Sequence, residues 1–113
     1  MKKAFVTHLS SQDITEKTAK VDLVVPFLQG KLNPFDVQTL LKDVRRAVTD
    51  LDTEEDYVIP AGSAVANFIA GIALGMRGPR TLKLKVFDAT IGKYKEVLLI
   101  LEKKKCPTPK TEE

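Results

Sequence analysis

Apolar positions along the chain follow two different periods, and short runs of the strand type occur five times. Apolar or β-branched runs at residues 4–6, 21–27 and 57–59 each end at a polar residue or a proline. Residues 82–87 alternate leucine or valine with Lys83, Lys85 and Phe87, and residues 94–101 are again largely apolar. The last two runs are separated by a short loop that contains glycine, which predicts a β-hairpin.

Between these runs, helices are expected at residues 12–19, 34–51 and 62–76. The first is short and polar, whereas the second has apolar residues at spacings of three and four, with Asn33 as its expected cap. The third helix is nearly apolar and rich in alanine and glycine. Gly71 in its interior costs about 1 kcal/mol relative to alanine, so we expect close packing against the sheet and against a second subunit.

This order of elements predicts an α/β fold. Strands that alternate with helices favour right-handed crossovers and a parallel central sheet, to which the hairpin adds an antiparallel end. We therefore expect a small Rossmann-like domain of three layers over residues 1–101. Residues 102–113 lack apolar content and are expected to form a flexible polar tail.

Composition narrows the possible classes of function. The 113 residues carry 18 lysines and arginines against 15 acidic residues, so the net charge of +3 permits an anionic partner without requiring one. The single cysteine, Cys106, and the single histidine exclude a disulfide framework and a Cys-His metal cluster, and they favour a cytoplasmic protein. Neither a P-loop nor a dinucleotide fingerprint is present, so no cofactor or metal is expected. The most apolar stretch, residues 58–76, is interrupted by polar residues and does not predict a membrane span.

Two predicted strand ends collect residues suited to holding an anion. Thr7, His8, Ser10 and Ser11 follow the first strand, and Gly62-Ser63 connects the third strand to its helix. Open parallel sheets bind ligands at the carboxyl ends of strands, near helix N-termini. The alternative is structural: Ser10 caps a helix, His8 packs at a strand end and Gly62 forms a tight turn. The basic residues near the fourth strand, Arg80 and Lys83, face either phosphates or solvent.

The segments Thr7-His8-Leu9-Ser10 and Asp56-Tyr57-Val58-Ile59-Pro60-Ala61-Gly62-Ser63-Ala64, followed by an alanine-rich helix and a Leu-Lys-Leu-Lys strand, resemble a known group. They are similar to the small CRISPR-associated proteins related to CARF domains, which are ring nucleases and binders of cyclic oligoadenylate in type III systems. The resemblance implies a CARF-like, Rossmann-like core and a homodimer that holds the ring across its two-fold axis. It implies ligand contacts at His8, Ser10, Gly62 and Ser63. The full set of expected site residues is Thr7, Ser10, Gly62, Ser63, Arg80 and Lys83 for binding, with His8 and Ser11 as catalytic candidates.

The function expected from this resemblance is binding of cyclic oligoadenylate, with cyclic tetra-adenylate as the expected ring, and metal-independent ring opening. A ribose 2′-hydroxyl would attack the adjacent phosphorus, His8 would protonate the leaving 5′-oxygen, and a 2′,3′-cyclic phosphate would remain. Two alternatives stay open: capture of the ring without cleavage, and a small protein-interaction module that docks a partner on the third helix. No helix offers a basic recognition face on which base-reading Asn, Gln and Arg occur together, so duplex DNA is not an expected partner.

Overall fold

A five-stranded sheet forms the centre of the molecule. The computed structural model describes residues 1–10 and 14–101. The strands are ordered β2-β1-β3-β4-β5 across the sheet, so the chain crosses over between β2 and β3. Pairing is parallel from β2 through β4 and antiparallel between β4 and β5. The strands are β1 (Lys3–Leu9), β2 (Leu23–Gln29), β3 (Tyr57–Ile59), β4 (Thr81–Asp88) and β5 (Lys93–Ile100).

Helices cover the two faces of this sheet unequally. On one face, Phe5 and Val58 pack with helices α2 (Val37–Ala47) and α3 (Ala64–Met76) in the larger core. On the other face, the alternate residues of β1 pack against Ala19 of α1 (Glu16–Ala19), which is a single turn. The expected α/β fold is confirmed: a mostly parallel sheet with a C-terminal antiparallel pair, compatible with a small Rossmann-like domain.

The two helix starts differ from those predicted. Helix α1 begins after Thr15, whose hydroxyl accepts a hydrogen bond from the Thr18 N–H, and the predicted start at residue 12 lies outside the described residues. Helix α2 begins after Asp36, whose carboxylate accepts from the Thr39 N–H at 3.4 Å. Asn33 instead accepts from the Phe35 N–H and closes a turn ahead of the helix. Asn33 and Asp36 are both good capping residues, and Asp36 is the one that caps α2 in this fold.

Parallel pairing gives the sheet two chemically different edges. The carboxyl ends of β1, β2, β3 and β4 lie along one edge, and their amino ends lie along the other. Because β3 has only three residues, β4 and β5 extend past its carboxyl end as a hairpin.

The expected tail at 102–113 and the candidate Ser11 lie outside the described residues. Among the helices that are described, none is long and apolar enough to cross a membrane.

Candidate functional site

A closed hydrogen-bond network joins the end of β1 to the start of α3. The hydroxyl of Thr7 accepts from the Ala61 N–H at 2.9 Å and donates to Oδ1 of Asn67 at 2.6 Å. Nδ2 of Asn67 donates in turn to the carbonyls of Ala61, at 2.7 Å, and Ser63, at 2.9 Å. Thr7 is buried, so its hydroxyl needs both partners. The network fixes the β3–α3 turn against β1.

His8 makes the second connection between these segments. Its Nδ1 accepts from the Ser63 N–H at 2.9 Å, and its Nε2 lies 2.6 Å from the Gly30 carbonyl oxygen after β2. A backbone N–H only donates and a carbonyl only accepts, so this pair of contacts selects the neutral tautomer with its proton on Nε2. The ring is 6% exposed. Both imidazole nitrogens are therefore occupied in holding three strand ends together.

Gly62 allows the turn to approach His8 this closely. Its φ is +79°, a left-handed conformation that other residues rarely adopt. A Cβ at this position would lie 2.5 Å from the carbonyl oxygen of His8 and 2.6 Å from its Nδ1. Only glycine fits here without movement of the backbone. We call Thr7, His8, Gly62, Ser63 and Asn67 the strand-end cluster.

The outer surface of the strand-end cluster is polar backbone rather than charged side chain. Ser63 caps α3 by accepting from the Ala66 N–H at 3.4 Å, while the N–H groups of Ala64 and Val65 have no intrahelical acceptor, as at any helix start. Gly62 and Ser10 are exposed beside them. With His8 neutral, the cluster carries no formal charge. The groups that it could offer to an anion are hydroxyls, N–H groups and the positive end of the α3 dipole.

The structure brings four of the eight predicted site residues into one cluster and places two others elsewhere. Thr7 is hydrogen-bonded to Ala61 and His8 to Ser63, while Gly62 packs closely against His8. Arg80 precedes β4 at the opposite edge of the sheet. Lys83 lies near the amino end of β4, with its ammonium 5.5 Å from the centre of the Tyr57 ring. Neither basic residue lies in the strand-end cluster of the same copy.

Sequence reasoning missed two members of this network. In the sequence, Asn67 stands out only as a polar interruption of an apolar helix, although it follows the capping residue Ser63 by four positions and therefore lies above it on the same face. A lone asparagine inside an otherwise apolar helix was the available signal. Gly30 takes part only through its backbone carbonyl, and nothing in the sequence indicates that this carbonyl would contact His8.

No protein-family model, curated protein or solved structure matches this chain in comparisons with known proteins. Within residues 1–10 and 14–101, no three His, Cys, Asp or Glu side chains converge as metal ligands would. The case for function therefore depends on the geometry of this one chain.

Proposed function

We propose that two copies of this chain bind one ring of cyclic oligoadenylate, with cyclic tetra-adenylate as the expected ring, at their strand-end clusters. The observation that carries the proposal is that the Ser63 N–H donates to His8 and the Ala61 N–H donates to Thr7, so the β3–α3 turn is hydrogen-bonded directly to the end of β1. Two segments 55 residues apart in sequence form one rigid surface at the carboxyl edge of a parallel sheet. This is the edge at which open α/β sheets bind nucleotides.

A small domain can bind a ligand more tightly if a second copy of the domain contacts the same ligand. One helix start contributes only about 0.3–1 kcal/mol towards binding a charge at an exposed site. A symmetric ring of phosphates meets two identical clusters, so every weak contact is made twice on one ligand. The proposal places the protein in the cytoplasm as a binder of a second messenger.

The geometry favours capture of the ring over cleavage. For His8 to protonate a leaving 5′-oxygen, its Nε2 proton would have to leave the Gly30 carbonyl, and the buried ring would have to turn outward. Ring opening would then depend on alignment of the 2′-oxygen, phosphorus and leaving oxygen, with Ser63 and helix N–H groups stabilising the phosphorane. Capture needs none of these movements.

Retention of labelled cyclic tetra-adenylate in EDTA tests this proposal. We expect intact ring to be retained at one ring per two chains. Linear product ending in a 2′,3′-cyclic phosphate would show that cleavage also occurs, and neither retention nor product would refute the proposal. Ser63→Ala should weaken retention, whereas Arg80→Gln, at the opposite edge, serves as the control and should not. If Arg80→Gln lost binding and Ser63→Ala did not, the ligand would bind somewhere other than the strand-end cluster.

An apolar surface supports the pairing of two copies. Helix α3 packs on the same side of the sheet as Leu82 and Leu84, and the cross-strand partners of these leucines are Leu99 and Val97. Six large apolar side chains of α3 and the hairpin on this side are between 40% and 71% exposed. They form what we call the apolar face: Phe68, Ile72 and Met76 of α3 with Val86, Val97 and Leu99 of the hairpin.

The size of the apolar face suits a dimer better than a lone monomer. The six side chains expose roughly 500 Å², near the upper end for the largest patch on a monomer. Two copies would bury about 1,000 Å² in total, the least expected of a specific interface. A Cβ at Gly71 or Gly75 would meet nothing within 4 Å, so one copy alone gives no packing reason for glycine there. A second backbone lying against α3 would give one.

Molar mass in solution tests the interface. We expect a dimer, and we expect Ile72→Asp to give a folded monomer with weakened ring retention. Val37→Asp is the matched control, because Val37 is equally exposed, at 41%, but lies on α2 outside the apolar face. A monomeric unchanged protein, or a dimer that Ile72→Asp leaves intact, would exclude this face as the interface. If the apolar face instead bound a different protein, the alternative of a small protein-interaction module would be favoured.

A further inference from the structure

A second concave site lies on the other side of the hairpin, between it and α1. It has a volume of about 340 Å³, within the range of about 300–1,000 Å³ that is typical of small-molecule sites. Thr18, Ala19 and Lys20 line it from α1, and Lys85 and Phe87 line it from β4. Gly92, Lys93, Tyr94 and Glu96 complete the wall. We call it the hairpin pocket.

A buried cation forms part of this pocket. Lys85 is 3% exposed, and its ammonium lies 3.2 Å from a carboxylate oxygen of Glu96 and 4.6 Å from the centre of the Tyr57 ring. Burial of a lysine is unfavourable unless the charge is compensated. Glu96 compensates only in part, because its own side chain is 55% exposed and it also accepts from the Tyr57 hydroxyl at 3.2 Å. An ammonium has three donors, so Lys85 can still bind an anion in the pocket.

Two further lysines make the pocket cationic. Lys20 and Lys93 are exposed, and neither has an ion-pair partner among the described residues. Three lysines against Glu96 leave a net charge of +2 in the lining. Burial raises the pKa of the Tyr94 hydroxyl, which therefore stays protonated and able to donate at neutral pH. The charge matches a phosphate monoester, which carries close to two negative charges at pH 7.

Aromatic surface lies beside these charges. The rings of Phe87 and Tyr94 are 5.3 Å apart at an interplanar angle of 65°, and Phe87 remains 53% exposed. An exposed ring at the mouth of a cationic pocket offers a stacking surface for a base, and such stacking is sequence-tolerant. Inorganic phosphate would use the lysines and leave this ring exposed.

We propose that the hairpin pocket binds a phosphate monoester joined to an aromatic ring, of the class of nucleoside monophosphates, with Lys85 and Lys20 on the phosphate and Phe87 against the base. This site is independent of the ring-binding proposal. It faces the α1 side of the sheet, whereas the apolar face lies on the α3 side, so dimerisation leaves the hairpin pocket open.

Titration of the full chain with adenosine 5′-monophosphate, followed by amide chemical shifts, tests this proposal. We expect saturable shifts at the hairpin pocket, at least tenfold weaker binding of adenosine, and at least tenfold weaker binding of inorganic phosphate. Absence of saturable shifts in the pocket up to millimolar nucleotide, or equal binding of phosphate alone, would overturn it.

Three variants assign the contacts. Phe87→Ala should weaken nucleotide binding at least tenfold with little effect on phosphate, and Lys20→Ala should weaken both. Lys95→Ala is the control, because Lys95 lies in the same hairpin but pairs with Asp88 at 3.0 Å. If Lys85→Met folds, it tests the contribution of the buried cation to nucleotide binding. If it does not fold, Phe87→Ala and Lys20→Ala alone decide the proposal. Ser63→Ala should leave nucleotide binding unchanged, so failure of this proposal and of ring binding are separate results.

Discussion

Replacement of Gly62 by alanine tests the central contact of the strand-end cluster. The new methyl group would lie 2.5 Å from the His8 carbonyl oxygen and 2.6 Å from its ring nitrogen Nδ1. Neither atom is the end of a flexible side chain, because the first is backbone and the second is held by the Ser63 N–H. The β3–α3 turn must therefore move away from β1, and the hydrogen bond from Ser63 to His8 must lengthen or break.

Two contributions determine the expected loss of stability. Placing alanine at a φ of +79° costs about 1 kcal/mol. Leaving the buried imidazole nitrogen without its donor costs about 2 kcal/mol more. For a domain of this size, 1 kcal/mol shifts Tm by roughly 4 °C, so Gly62→Ala should lower Tm by about 12 °C.

Gly78→Ala is the matched control for this measurement. Gly78 has a similar φ, +69°, but a Cβ there would meet nothing within 4 Å. Gly78→Ala should therefore show only the cost of placing alanine at a positive φ, which is a fall in Tm of about 4 °C. The change in unfolded-state entropy is the same for Gly62→Ala and Gly78→Ala, so it does not affect the comparison. Thermal unfolding followed by circular dichroism measures both. Equal shifts in the two variants would refute close packing of Gly62 on His8 as the reason for glycine.

Three further predictions concern other contacts. Thr7→Val removes a hydroxyl that both accepts and donates inside the strand-end cluster, and should lower the free energy of unfolding in urea by about 2 kcal/mol, whereas Thr7→Ser should not. The hydrogen bond from Lys85 lowers the pKa of Glu96, so its stabilisation exists above about pH 4.3 and is lost as the pH falls through the lowered value. Glu96→Gln should therefore reduce stability at pH 7, and the difference from the unchanged protein should shrink as the pH falls through the lowered pKa; a difference that does not change with pH would contradict the pairing. Lys20 ends α1 at a φ of +59°, so Lys20→Gly should raise stability by up to about 1 kcal/mol while weakening nucleotide binding in the hairpin pocket.

Periodicity predicted most of the fold because the strands and long helices are locally encoded. Helix α3 was expected over 62–76 and spans Ala64–Met76, and the strand after Gly78-Pro79 begins at Thr81. Helix starts were less certain, since Asn33 and Asp36 are both good caps and only the tertiary position of the helix selects between them. The order β2-β1-β3-β4-β5 depends on pairings between distant segments, and no local pattern specifies it.

The site was predictable as two separate strand ends but not as a network. Hydroxyl, imidazole and glycine at strand ends pointed to Thr7, His8 and Gly62. The sequence could not show that both imidazole nitrogens would be used inside the protein, because one of the partners, the Gly30 carbonyl, is backbone. The burial of Gly71 was also expected, whereas its position is open in a single copy. The first difference arises from a partner that is distant in sequence, and the dimer proposed above would supply the neighbour that Gly71 lacks in a single copy.

The short central strand β3 makes completion of the sheet depend on segments that follow it in the chain, β4 and β5. A hairpin such as β4–β5 can form within about 1–10 μs, whereas parallel pairing must first close long crossovers. A nascent chain that has emerged only to residue 79 lacks β4, so the outer side of the three-residue β3 has no neighbour. We expect docking of the hairpin onto β3 to be the late, rate-limiting event of folding, during which the leucine-rich hairpin is vulnerable to aggregation.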